Sequence, residues 1–522
     1  MSYFSTTIGD SIIRGMEHMT RSFDLDSEGL PWFDIRLRNE LPAYLEHYPC
    51  FDTAHVPGRC LDALLFGGEV TGFVVPETVI ETYRKFLFES FEGEDGLNGY
   101  IEPETGRRTI IFHNFREGLL ALHALIRWRG DKRAIEIADR MLDVIDHITN
   151  EEGDWDERGL LNLKKIVDVH PDYTPTATTG RMVSPLLKYY ILTGNQTAIN
   201  LARRFAEYAL DSSFNSDGSF KERAGGHIHS ITSTISSLAE YFLYAKDWKR
   251  LEQVKRIYDY GVLPWKSTFG WVKELTINDH IGGEVNATGD LVQAALSFAK
   301  AGYLQAYSDA EIMLRGHLIP AQVTNEMQIE PRWVIQKGNP TEDKWRDIAY
   351  RIRGGFGFPT PNDRAPLHYD NDYVRITTLD ITSGAIQTLC EVYKEAIVET
   401  DSVIQVNLLF DRTSDRFKFN HISIDEGRYG VEGDGNKIIK IRIPKGTLRN
   451  RIHLDVSLPH VQIRQENEYV VLEATEPFRV VLVLPCEETH HEEVIHGHKF
   501  TTVWRSEQVI SIEPRGANSP IF

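Results

Sequence analysis

The 522-residue chain is poor in cysteine, with only Cys50, Cys60, Cys390 and Cys486, and none of the four belongs to a CxxC pair. Isolated cysteines exclude a disulfide framework and a cysteine-based zinc ribbon. Long hydrophobic runs are missing as well: none approaches the roughly 18 to 20 apolar residues that cross a bilayer. Residues Met1 to Thr20 mix acidic and basic side chains where a signal peptide keeps an apolar core. The chain therefore reads as cytoplasmic, with no membrane partner. Positive charge is in deficit, 57 Lys+Arg against 76 Asp+Glu for a net charge of -19. That balance opposes the phosphate-neutralising surface that nucleic-acid binding requires.

What is present is the composition of an ordinary folded protein, 41% hydrophobic and 25% charged, with length enough for two or more domains. The 9 Trp, 21 Tyr and 25 Phe suit stacking on sugar rings, although most must fill cores. Oligomeric assembly is compatible with this composition.

Between Glu69 and Gly302 an apolar helix, a short turn and an amphipathic helix recur. The turns centre on Gly72, Gly130, Gly194, Asp247 and Gly302, in steps of 58, 64, 53 and 55 residues. Glycine just past a helix end is the expected C-terminal stop, so each turn joins two antiparallel helices. The helices before the turns are the more apolar, as in GLLALHALIRW (Gly118 to Trp128), and those after are amphipathic, as in KRAIEIADRMLDVI (Lys132 to Ile145). An inner ring covered on most faces and an outer ring with one wet face require this contrast. A sixth hairpin closes the ring, its inner helix expected over Thr382 to Glu395 after a long insertion containing the loop-like GGFGFPTPNDRAP. From Val403 the texture changes to short β-rich runs such as KIIKIRIP and FRVVLVLP. The expected fold is an (α/α)6 toroid over residues 1–400 followed by an antiparallel β-sandwich over 401–522.

In such a toroid the chain enters all inner helices at one mouth, where functional groups on a rigid scaffold are usually mounted. Six segments lead there: DTAHVPGR, IFHNFREG, TPTATTGR, GGHIHSIT, GGEVNATGD and RITTLDITSG. They carry His55 and Arg59, His113 and Asn114, Thr179 and Arg181, His227 and His229, Glu284 and Asn286, and Asp380. The spacing follows the hairpin period, 58 residues from His55 to His113 and 57 from His227 to Glu284. Plainer structural readings compete. Asp380 or Thr288 would serve as helix N-caps, and His55 or His113 as satisfied core histidines. Glu284 after two glycines is harder to explain without a task, because Glu is rarely buried without a partner. Further carboxylates near the mouth are Glu274, Asp279 and the HYDND run (His368 to Asp372), of which Asp372 is a candidate sugar contact. Two carboxylates across a sugar pocket supply an acid for the leaving oxygen and a nucleophile or base opposite.

Two motif-like stretches carry nothing. In HHEEVIHGHK (His490 to Lys499), His491-Glu492 and His496 are one residue too far apart for a zincin helix, and a surface loop is expected. GGFGF (Gly354 to Phe358) lacks the spacing and the strand-to-helix context of a phosphate loop.

The segment EVNATGDLVQAALSFAKAGYLQAYSDAEIMLRGHLIPAQ (Glu284 to Gln322) resembles the glycoside hydrolase family 127 group of β-L-arabinofuranosidases, in which a glutamate, one residue and a cysteine open an inner helix. At the level of architecture the resemblance extends over the toroid and the trailing β-domain. It implies a cysteine nucleophile held by zinc, with glutamate and further cysteines as ligands. Here the glutamate matches Glu284, the cysteine two residues on is Asn286, and the adjacent cysteines before the last inner helix are replaced near Asp380-Ile381. Zinc prefers thiolate and imidazole ligands and usually takes four, so neither metal nor other cofactor is expected.

The expectation is thus an exo-acting glycoside hydrolase on short oligosaccharides, L-arabinofuranoside-like or derived from plant polysaccharide. Glu284 acts as acid and Asp380 as nucleophile or base, with His227 assisting and His55, Arg59, His113, Asn114, Arg181, His229, Glu274, Asn286 and Asp372 binding substrate. Two other readings stay open: a uronate lyase or sugar epimerase using histidine for proton transfer, and a non-catalytic carbohydrate-binding protein. Toroids host all of these, so fold alone does not decide.

Overall fold

The computed structural model of the protein describes residues 7–37, 43–93, 96–101, 106, 108–156, 168–169, 174–277, 282–324, 342–358, 375–423, 426–495 and 498–513. Gly72, Gly130 and Gly194 end the helices His55–Thr71, Phe112–Arg129 and Arg181–Thr193 in the left-handed region, at φ of 74, 62 and 75°, where glycine carries no Cβ penalty. Each turn leads into a helix packed beside its predecessor: Glu77–Phe91, Lys132–His147 and Gln196–Ser213. Ile228–Ala245 turns through Lys246, at φ 55° without the help of glycine, into Trp248–Arg256. Val285–Lys300 turns through Gly302 into Ala306–Met313.

The first helix of each pair is inner. Neighbouring inner helices pack on one another in order, and the sixth, Leu379–Ala396, packs back on His55–Thr71 to close the ring. The sixth leads into no outer helix: the chain passes directly into the strand Ile397–Glu399. Its outer neighbour is instead the N-terminal helix Ile8–Thr20, started by a Thr7–Asp10 capping box and packed on both Leu379–Ala396 and His55–Thr71. The outer Lys132–His147 buries Ala134, Ile137, Ala138, Met141, Leu142 and Ile145, a single helical stripe. The inner helices are buried on nearly every face, and one apolar core runs between the two rings.

A small antiparallel sheet lies beside the ring, in the order Tyr44–Glu46, Asp34–Leu37, Arg375–Thr378, Phe356–Phe358. It aligns Asp34 with Thr378, directly before the last inner helix. The glycine-rich stretch expected as a loop therefore contributes Phe356–Phe358 as an edge strand, while residues 359–374 lie outside the described residues.

Beyond Ala396 two five-stranded sheets enclose a second apolar core. Their pairs are antiparallel except Val403–Val406 with Ile438–Arg442, which is parallel. A third sheet, Glu488–Ile495, His498–Arg505 and Gln508–Glu513, replaces the surface loop expected of the histidine-rich tail. It places Phe500, Trp504, Val509 and Ile512 against Phe269 and Trp271 of the toroid. Arg442 joins the parts: its guanidinium meets both Glu507 carboxylate oxygens at 2.7 Å and Glu311 of the outer helix Ala306–Met313 at 2.6 Å. Among the described residues no helix is long and apolar enough to cross a membrane.

Candidate active site

The mouth segments are only partly loops. Inner helices begin earlier than their apolar period shows, so the polar residues occupy first turns. His55 opens His55–Thr71, His113 and Asn114 lie in the first turn of Phe112–Arg129, and Asn286 in that of Val285–Lys300. Thr176–Gly180 forms a π-helical turn leading into Arg181. Neither His227 nor Glu284, the N-cap residues of their helices, spends its side chain on capping. The capping role weighed for Asp380 belongs to Thr378, whose hydroxyl accepts from the Ile381 amide at 2.9 Å. Thr288 is not a cap either, its hydroxyl lying inside the helix and donating to the Gly270 carbonyl at 3.0 Å.

Two imidazole–carboxylate couples result. His227 Nε2 lies 3.1 Å from Glu284 Oε2, and its Nδ1 lies 3.0 Å from the Ser230 hydroxyl. The His227 side chain is 39% exposed and that of Glu284 6%, so the imidazole is the member that meets solvent. Burial alone would lower the His227 pKa, but the hydrogen bond and charge of Glu284 raise it above the ordinary value. Glu274 adds in the same direction and is half-buried alongside, where its carbonyl accepts from the Ile228 amide at 2.9 Å.

The second couple is His55 Nε2 with Asp380 Oδ1 at 2.6 Å. Arg59, one helical turn below His55, places Nη1 2.7 Å from the same oxygen. Burial would raise the Asp380 carboxyl, yet Arg59 and His55 hold it well below the usual range, so it is ionised at neutral pH. The Phe51 ring lies 4.8 Å and the His113 ring 6.4 Å from His55.

Behind the couples sits a layer centred on the fully buried Glu117. Glu117 faces Arg59 at 3.2 Å, Arg181 at 3.7 Å and Arg116 in close contact. Burial would raise Glu117, but Arg116, Arg59, His55 and Arg181 bring it down to about 2. Arg181 Nη2 also donates to His229 Nε2 at 2.9 Å. A guanidinium only donates, so His229 carries its proton on Nδ1 and gives it to Asp290 at 2.8 Å. Burial holds the His229 pKa well below normal against the pull of Glu284, with Arg181 and Arg59 acting the same way as burial. Asp290, buried and also bonded by Thr232 at 2.8 Å, is raised to about 7. The Asn286 amide oxygen accepts from Arg59 Nη1 at 2.8 Å while its nitrogen donates to the Ile381 carbonyl at 3.3 Å.

The structure thus gathers His55, Arg59, Asn286 and Asp380 into one cluster and Arg181, His227, His229, Glu274 and Glu284 into another, with Glu117 between. Asn114 sits apart, donating to the Cys50 carbonyl at 3.3 Å and to Asn98. Asp372 and Asp279 lie outside the described residues. Glu117 and Asp290 carry only a faint signal in the sequence: each lies four residues after a mouth residue, His113 and Asn286, hence one turn deeper on the same helix face. Arg59 stands in the same relation to His55.

No protein-family profile matches the sequence, and no curated protein matches it. Solved structures do share the fold. A GH127 β-L-arabinofuranosidase from Geobacillus stearothermophilus T6 superposes with a TM-score of 0.53 at 12% identity, over 96% of this chain and 80% of that one. A GH127 β-arabinofuranosidase, BT3674, gives 0.56 at 13% identity over 95% and 78%. A further glycoside hydrolase gives 0.55 at 11% identity over 93% and 84%. At such identities the likeness is one of fold, and it joins the toroid and the trailing sheets in one architecture, as the resemblance over Glu284 to Gln322 implies.

Proposed function

We propose that the chain is a glycoside hydrolase acting in exo fashion on short oligosaccharides, L-arabinofuranoside-like or derived from plant polysaccharide. The observation that carries this reading is the two imidazole–carboxylate couples at inner-helix starts, His227 with Glu284 and His55 with Asp380. Solved structures of the same fold that are β-L-arabinofuranosidases support it. Asp380, kept ionised, is the nucleophile or base at the anomeric carbon; both of its close side-chain contacts are through Oδ1. Glu284 is the acid, and the more exposed His227 relays its proton. The glycosidic C–O bond breaks, the leaving oxygen takes that proton, and water returns a hydroxyl to the sugar and a proton to the acid couple. His113 and Glu274 contact the sugar, while Arg59, Arg181, His229 and Asn286 hold the couples in place. We assign catalysis to a domain of residues 1–400 and a supporting β-sandwich domain to 401–522.

Purified protein given a panel of aryl glycosides and plant oligosaccharides should release reducing sugar at a rate indifferent to chelators. Folded Glu284→Gln and Asp380→Asn variants should lose about 100- to 10,000-fold. Full activity in both would remove the assignment. A new ultraviolet absorbance, or isomerisation without hydrolysis, would replace it with a lyase or an epimerase. Binding without any product would leave a carbohydrate-binding protein.

A further inference from the structure

The family resemblance implies zinc, and the ligand positions it implies fall at Glu284, at Asn286 and near Asp380-Ile381. Their chemistry does not fit that ion. Zinc takes about four ligands from thiolate, imidazole and carboxylate, whereas a carboxamide and an isoleucine leave only two carboxylates. One of these, Asp380, already carries His55 and Arg59. Among the described residues no group of three or more His, Cys, Asp or Glu is placed to hold a metal ion.

A permanent cation already stands between these positions. Arg59 Nη1 lies 2.7 Å from Asp380 Oδ1 and 2.8 Å from the Asn286 amide oxygen, and the other edge of the guanidinium is braced by Glu117 at 3.2 Å from Nε. The Arg59 side chain is only 2% exposed. The neighbouring helix makes room for it at Gly384, where a Cβ would stand 3.1 Å from Arg59 Nη2 and 2.3 Å from the Asn286 carboxamide. A second glycine, Gly58, lets the Arg59 helix approach the Glu117 backbone, which a Cβ there would meet at 2.6 Å.

We propose that the Arg59 guanidinium takes the electrostatic and organising place of a metal ion in this site, as a positioning residue that ties Asp380 and Asn286 together across two inner helices. The choice of arginine follows from its chemistry: it is always charged, and its planar guanidinium bonds the Asp380 carboxylate and the Asn286 carboxamide through Nη1 while a second carboxylate, Glu117, holds the Nε edge. Lysine supplies the charge without the planar group.

The kinetic arm of the test rests on the hydrolase reading; the binding arms do not. Wild-type protein should carry no stoichiometric zinc by elemental analysis and show no zinc binding by titration calorimetry. In Arg59→Ala, low-millimolar guanidinium should raise Tm by refilling the vacated space, whereas in wild type it should not, since ligand binding to the native state stabilises it. Misplacing a reacting group by about 1 Å costs about 100-fold, so kcat of Arg59→Ala should fall about that far with KM little changed, and guanidinium should recover about tenfold. Arg59→Lys should fall between the two, and guanidinium should not rescue Glu284→Gln. Stoichiometric zinc in wild type overturns the proposal outright, whatever the variants do. Absence of any guanidinium effect on the Tm of folded Arg59→Ala overturns it too; if that variant does not fold, Arg59→Lys with wild-type kcat does so instead. A guanidinium effect on Tm without detectable hydrolysis in any protein would uphold the proposal and defeat the hydrolase reading.

Discussion

Asp34 illustrates what burial does to a carboxyl beside this site. Strand pairing places it opposite Thr378, two residues before Asp380, and only 5% of its side chain is exposed. Burial raises its pKa to about 8 from 3.8. Arg36 opposes the shift, while Glu46, Asp380 and Asp52 add to it. Arg36, 2.9 Å away, cannot prevent this because it is shared with Glu46 at 2.6 Å. Between these two pKa values the native state holds a proton that the unfolded chain has released, so this group makes stability fall as pH rises from about 4 to about 8. Asp34→Asn removes the titration. Measured by thermal unfolding, the Tm of the variant relative to wild type should become more favourable at pH 8 than at pH 5. Parallel profiles at the two pH values would show that Asp34 ionises freely in the folded protein.

At the scale of elements, the site depends on how closely two inner helices approach. His55–Thr71 and Phe112–Arg129 cross at Gly58, whose missing Cβ leaves space for the Glu117 carbonyl. Gly58→Ala would place a methyl 2.6 Å from that backbone oxygen, and backbone cannot rotate away as a side chain does. The helices must separate, at a cost of about 1–3 kcal/mol, and Arg59 moves with them. Denaturant titration should show this loss together with a fall in activity, and a stable variant of unchanged activity would refute the account. Much of this level was legible, because turn glycines at a steady spacing and a contrast between apolar and amphipathic helices are local signals. The helix starts were not: His55, Asn114 and Asn286 are polar and buried, so the apolar period begins only after them. Nor was closure by Ile8–Thr20, since an amphipathic stripe says that a helix packs but not on what. The buried layer of Glu117 and Asp290 was hidden because carboxylates at such positions normally read as solvated. Only the i, i+4 relation to mouth residues marks them.

At the scale of the molecule, the toroid and the terminal sheets are tied together by one buried charge network. Arg442 lies on a strand of the first sheet, Glu507 follows the strand His498–Arg505 of the third, and Glu311 belongs to an outer helix. Arg315 closes the network, meeting Glu311 at 2.8 Å and the Leu409 carbonyl. Arg442 is 1% exposed and both its carboxylate partners 3%. Such a network adds little over an apolar equivalent when intact, but removing one partner strands the others without compensation. Arg442→Met leaves Glu507 without its paired cation and Glu311 with Arg315 alone, which should cost about 3–5 kcal/mol. Because the loss falls where toroid and sheets meet, calorimetric unfolding that is a single transition in the wild type should become two in Arg442→Met, the terminal sheets melting first. Adding Glu507→Leu should recover part of the loss, since the stranded carboxylate is the main penalty. A single transition at an unshifted Tm in Arg442→Met would mean that the apolar contact of Trp504 and Phe500 with Trp271 couples the parts without the charges.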